Sequence, residues 1–138
     1  MARTSIFDTY ETDRTSEEDG KWFDEEFGPE VKMKLRRYTS AKSRKARESI
    51  FKAVIKQYKT LDKVPEDITT DLTNRHMAEA IITDWSGIFG KDGNEIVYSA
   101  PAAYDLLSKL PDLARDIVLL SINMDNYKAE KKAEVLGN

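Results

Sequence analysis

The chain has 138 residues, enough to bury one core but not two independent ones. It contains no cysteine, which excludes a disulfide scaffold, a thiol nucleophile, an iron–sulfur cluster and any Cys-based zinc site. Its 25 acidic and 22 basic side chains leave a net charge of −3, but the charge is laid out in blocks. Residues 1–30 hold ten acids and three bases, residues 31–63 two acids and twelve bases, and residues 64–138 thirteen acids and seven bases.

At 40% hydrophobic and 34% charged the sequence is polar, yet apolar enough to fold. No apolar run approaches the roughly 20 residues needed to span a bilayer, and residues 1–10 lack the apolar stretch of a signal peptide. The expectation is a soluble intracellular protein with no membrane partner.

Residues 1–20 offer only Ile6, Phe7 and Tyr10 as sizeable apolar side chains, so this segment reads as an acidic, flexible arm ahead of a single domain over residues 21–138. Val31, Met33 and Leu35 alternate with Lys32, Lys34 and Arg36, the period of a half-buried strand. Trp22 and Phe23 start its partner, and Phe27-Gly28-Pro29 supplies the turn of a small hairpin. Ser40 or Thr39 caps a helix over 41–58, whose apolar face is Ala46, Ile50, Phe51, Val54, Ile55 and Tyr58 and whose other face is strongly basic. Pro65, Glu66 and Asp67 open a second helix, expected to run to Asp84 with Ile68, Leu72, Met77, Ile81 and Trp85 on one stripe.

Residues 85–98 hold Gly87, Gly90 and Gly93, and Asp92-Gly93 favours a tight turn, so a second short hairpin or hairpin-like loop is expected there. Ser99 caps a third helix with Pro101 in its first turn and Ala103, Leu106, Leu107 and Leu110 facing inward. Pro111 restarts a fourth, along which Leu113, Ile117, Leu120, Met124 and Tyr127 form a stripe, with Lys128, Lys131 and Lys132 in the last turns. The fold class predicted is mainly α (α+β), about four helices with two small hairpin elements.

The inventory for catalysis is thin. His76 is the only histidine, and beside an apolar stripe it reads as structural or surface-exposed. No nucleophile elbow, P-loop or dinucleotide fingerprint is present. Asp92-Gly93-Asn94-Glu95 lacks the alternating ligands of a calcium loop and is better explained as a turn. We therefore expect a non-enzymatic protein without cofactor or metal.

The basic block, with Lys32, Lys34, Arg36 and Arg37 on the strand side and Lys42, Arg44, Lys45, Arg47, Lys52, Lys56 and Lys59 on the helix, is open to three readings: phosphate binding, an acidic protein partner, or solvation. The acidic total, the lack of interleaved aromatics and the lack of a nucleic-acid motif disfavour the first. Trp85 reads as a core anchor, whereas Trp22, in a polar neighbourhood, is a candidate for an interaction surface together with Arg36, Arg37, Arg44, Lys45 and Arg47.

An ordered set of segments resembles the tail assembly chaperones of long-tailed bacteriophages and prophages. The set comprises the acidic opening Glu11-Thr12-Asp13 leading to Gly20-Lys21-Trp22-Phe23, and the basic run Val31-Lys32-Met33-Lys34-Leu35-Arg36-Arg37. It continues with Asp84-Trp85-Ser86-Gly87-Ile88, Asp92-Gly93-Asn94-Glu95-Ile96 and Tyr98-Ser99, then Pro111-Asp112-Leu113 and Asn126-Tyr127-Lys128. The resemblance implies a non-enzymatic factor in the host cell cytoplasm that binds the tape measure protein, helps recruit tail tube protein and is absent from the mature virion. It also implies a short form, extended in some members by ribosomal frameshifting, for which Lys131-Lys132 could mark an A-rich slippery site. The acidic arm beside the basic block further suggests salt-sensitive homo-oligomers.

Overall fold

The computed structural model describes residue 3 and residues 5–129. In chain order the elements are α1 (Ile6–Tyr10), α2 (Arg14–Asp19), β1 (Lys21–Phe23), β2 (Lys32–Leu35), α3 (Ala41–Tyr58), α4 (Glu66–His76), β3 (Ile82–Ser86), α5 (Ala100–Lys109) and α6 (Pro111–Ile122). Short 3₁₀ turns follow α3 (Leu61–Lys63) and α6 (Met124–Tyr127), and a π turn (Met77–Ile81) joins α4 to β3.

The strands form one antiparallel sheet in the order β1-β2-β3. Trp22 faces Lys34 and Phe23 faces Met33 across the first pair, while Met33 faces Trp85 across the second. Alternation then does what the sequence pattern requires: Phe23, Met33, Leu35 and Trp85 are buried, whereas Trp22 is left 45% exposed on the other face.

The third strand is a correction to the sequence reading, which carries the second helix to Asp84. Ile81 and Trp85 are four residues apart and fit a helical stripe, but Ile82–Ser86 instead takes the free edge of β2. The helix ends through a π turn whose Met77, Ala78, Ala80 and Ile81 are all buried. Pairing with β2 satisfies a row of backbone groups that a helix there would leave open, and this non-local gain outweighs helical periodicity. Gly87 ends the strand at φ +75°, and a Cβ there would lie 2.0 Å from the Glu30 carbonyl oxygen, so the loop before β2 and the end of β3 can meet only at a glycine.

Helix α3 has the predicted bounds, and the Ser40 hydroxyl accepts from the Ser43 amide at 3.2 Å. Its expected apolar face is only partly covered: Phe51 is buried, Ala46, Ile50, Val54 and Tyr58 are half-buried, and Ile55 is 41% exposed. Helix α5 is capped by Ser99 as expected and buries Ala103 and Leu107. Helix α6 stops at Ile122, short of the predicted stripe, because the Asn123 side chain accepts from the Asp125 amide and starts a 3₁₀ turn. Tyr127 still reaches the core. Lys131 and Lys132 lie outside the described residues.

The core is one cluster over the inner face of the sheet, joining Met33, Leu35, Met77, Ile81, Ile82, Trp85, Leu107, Ile117 and Tyr127. Three of its aromatic donors end on backbone carbonyls: Tyr127 on Leu35 (2.9 Å), Tyr98 on Ile82 (2.7 Å) and the Trp85 indole on Ile96 (2.7 Å). The last bond holds the 85–98 segment as the expected hairpin-like loop, bridged at Phe89 and Glu95. The described residues thus form a single mainly helical α+β domain.

Within residues 1–20, expected as an acidic arm, lie α1 and α2. Thr12 and Lys128 form an antiparallel bridge, flanked by bonds from the Asp13 amide to the Tyr127 carbonyl (2.7 Å) and from the Ala129 amide to the Glu11 carbonyl (3.2 Å). The two ends of the described chain are therefore joined side by side.

Candidate functional site

Beyond β2 the chain fans its backbone donors into three separate elements. The amide of Arg36 donates to Ile81, that of Arg37 to Glu17 and that of Tyr38 to Ser121. The side chains follow suit. The Arg36 guanidinium donates to the carbonyls of Glu18 and Ala80. Arg37 pairs with the Glu17 carboxylate, both side chains being nearly buried (16% and 14% exposed), and lies over the Tyr127 ring. Two of the six residues singled out for partner contact are therefore engaged within the chain.

Glu18 completes this clamp. Its carboxylate oxygens accept from the amides of Ala41 (2.8 Å) and Lys42 (3.1 Å), capping α3 from outside that helix. Burial acts to raise the Glu18 pKa, but the two amides and the charges of Lys42 and Arg36 prevail and lower it. Asp19 adds an exposed contact to Lys42 at 3.5 Å. Acidic arm and basic block thus meet within one chain at Glu17, Glu18 and Asp19. The sequence signal for this was the opposite charge of the blocks; the individual partners were not legible.

His76 is structural. It is buried at the α3–α4 contact, where Nε2 donates to the Ser43 carbonyl (3.0 Å) beside the Ser43 hydroxyl (3.1 Å), and the Tyr38 ring stands edge-on at 5.3 Å. Burial lowers its pKa, the Ser43 carbonyl opposes this, and the nearby charge of Arg47 adds to the lowering. The Nδ1 atom has no hydrogen-bond partner among the described residues, consistent with an imidazole kept neutral.

The remaining predicted residues face outward. Arg44 and Lys45 are exposed, as is Arg47, whose guanidinium lies 5.5 Å above the Tyr38 ring. With Lys52 and Lys56 they form a cationic surface on α3 in which, among the described residues, none has an ion-pair partner. Trp22 lies on the outer face of the sheet, on edge strand β1. The structure does not merge it with the arginines into one buried site.

Two apolar patches went unmarked in the sequence. Helix α1 presents Ile6, Phe7 and Tyr10, each more than 60% exposed. Phe89 and Leu110, also exposed, flank an open groove of about 740 Å³ between the 88–96 loop and α5. Both leave large apolar side chains open to solvent. Among the described residues no three His, Asp or Glu side chains could hold a metal, and no helix is long and apolar enough to cross a membrane.

This mainly helical domain, with its clamped arm and outward cationic helix, is a phage-derived protein. The family model described as YdaY prophage protein matches residues 35–138, and the chain belongs to that family. The match starts at the last residue of β2, so it takes in α3 to α6 and leaves the arm and Trp22 outside. No curated protein and no solved structure matched the chain.

Proposed function

We propose that this prophage protein is a tail assembly chaperone, a non-enzymatic factor that binds the tape measure protein, helps recruit tail tube subunits, associates with copies of itself and leaves before the virion is complete. The observation that supports this reading is the division of the molecule into a closed core and an open contact surface. The core is clamped by Glu17, Glu18, Arg36 and Arg37, while large apolar side chains on α1 and beside α5, and the cations of α3, remain outside it. Separate, moderate contact patches suit repeated reversible binding along an extended client. The phage origin and the ordered set of tail-chaperone-like segments point the same way.

The test is co-expression of the tagged protein with the tape measure protein of the same phage, followed by mass spectrometry of purified virions. The reading expects co-purification with the tape measure protein and absence from virions. Stoichiometric presence in virions would instead make it a structural tail or connector component.

A further inference from the structure

We propose that the outer flank of α3 is the docking surface for an acidic amphipathic helix of a partner protein. The inference deepens the assembly-factor reading by naming the chemistry of its client. Lys45, Lys52 and Lys56 recur at i, i+7 and i+11, which places them in one row spanning about 16 Å of a helix rising 1.5 Å per residue. Arg44 and Ile55 border the row along one side, by the same helical spacing.

The row is unfavourable for the isolated protein. Lys52 and Lys56, four residues apart, repel each other. Glu48 is the only acid in α3 against six bases, and no ion pair among the described residues offsets Arg44, Lys45, Lys52 or Lys56. The other large cations nearby are used differently: Arg36 and Arg37 are engaged by the acidic arm. That arm is held at the N-terminal end of α3 by Glu18 and does not extend along the row.

Charge alone would also suit a phosphate polymer, but an apolar side chain selects between the two. Ile55 is 41% exposed and lies three residues after Lys52 and one before Lys56 on the helix, which mixes apolar with basic surface, and no aromatic side chain stands in the row for base stacking. A helix carrying an apolar ridge flanked by Glu would cover Ile55 while placing carboxylates against the lysines, as flanking charges do beside the seam of paired helices.

Fluorescence anisotropy of the full chain tests this with four labelled probes: a helical peptide with a Leu ridge flanked by Glu, its Lys-flanked counterpart, a Glu-rich peptide of equal charge made non-helical by proline, and a DNA duplex. The expected result is salt-sensitive binding of the first probe that exceeds the other three. It should weaken about tenfold or more in Lys45→Glu/Lys52→Glu/Lys56→Glu and in Ile55→Asp, with helical circular dichroism unchanged. Lys52→Gln/Lys56→Gln, which cannot introduce new repulsion, should weaken it in the same direction. Equal binding of the duplex or of the proline peptide, or unaltered binding by a folded variant, overturns the proposal. Tape measure protein that co-purifies equally with the Lys45/Lys52/Lys56 variant also overturns it and leaves the chaperone reading standing. Binding of the acidic helix without any capture of tape measure protein sustains the docking surface and overturns that reading alone.

Discussion

Replacing Glu18 by Ala removes a contact that, among the described residues, is the only one in which a side chain of the acidic arm caps α3. Two amides, those of Ala41 and Lys42, lose their acceptors at 2.8 and 3.1 Å. Loss of a helix cap costs about 0.5–2 kcal/mol, and a carboxylate at a helix N-terminus contributes a further few tenths through the helix dipole. Two features hold the total near the middle of that range. The Ser40 hydroxyl still accepts from Ser43, and the freed amides are near enough to the surface for water to replace the carboxylate.

The expectation is therefore a loss of about 1 kcal/mol, or about 3–5 °C in Tm for a domain of this size, with Glu18→Gln losing less because one acceptor oxygen remains. Thermal unfolding by circular dichroism measures it, and hydrogen exchange should show faster exchange at Ala41 and Lys42. The pKa of Glu18 is lowered on folding from an ordinary 4.5, so the unfolded chain binds the proton more tightly. Its stabilisation is complete above about pH 4.5 and fades as the pH falls below that value. The gap between wild type and Glu18→Ala should narrow there. An unchanged Tm at neutral pH and low salt, or a gap that widens in acid, would refute the capping role.

Other perturbations report on other parts of the fold. Arg37→Ala leaves the nearly buried Glu17 carboxylate without its partner and should cost about 2–3 kcal/mol, less than a fully buried pair because some solvent reaches it. Arg37→Ala/Glu17→Ala in denaturant titration should cost less than the two single losses added, and simple additivity would argue against a coupled pair. Burial holds His76 below its ordinary 6.5 in the folded state, so the unfolded state takes up the proton first; stability should be level above about pH 6.5 and decline as the pH drops below it. His76→Asn, compared over the same pH series, should lose that component of the slope. Gly87→Ala drives a Cβ to 2.0 Å from the Glu30 oxygen at a positive φ and should cost about 3 kcal/mol or more in thermal unfolding. Gly93→Ala, with open space around it, should cost only about 1 kcal/mol for its φ.

Elements whose signals are local were legible in the sequence. The Ser40 and Ser99 caps set the starts of α3 and α5, and the alternation of Met33 and Leu35 with lysines placed β2 and its buried face. Trp85 proved a core residue as its size suggested. The third strand escaped because Ile81, Ile82 and Trp85 satisfy helical spacing, and only the presence of β2 across the gap makes an extended conformation better. The short helix α2 escaped for a related reason: it has no apolar residue and is held by Arg36, Arg37 and α3 instead of by its own periodicity.

The surface divides along the same line. A sequence shows that residues 31–63 are basic, but a charge has no address until the chain is folded. Arg36 and Arg37 look equivalent to Arg44 and Lys45 in the sequence, yet the first two turn into the arm and the core while the others face solvent. By itself the sequence determined the class of fold, most helix starts, the inward face of β2, Ala103 and Leu107 as the buried part of α5 though not the exposed Leu110, and the opposed charges of the first two blocks. The tertiary structure decided which of those charges neutralise one another, where the third strand lies and which cations remain to meet a partner. The physical reason is that capping and periodicity act within a few residues, whereas ion pairing and strand pairing join groups far apart in the chain.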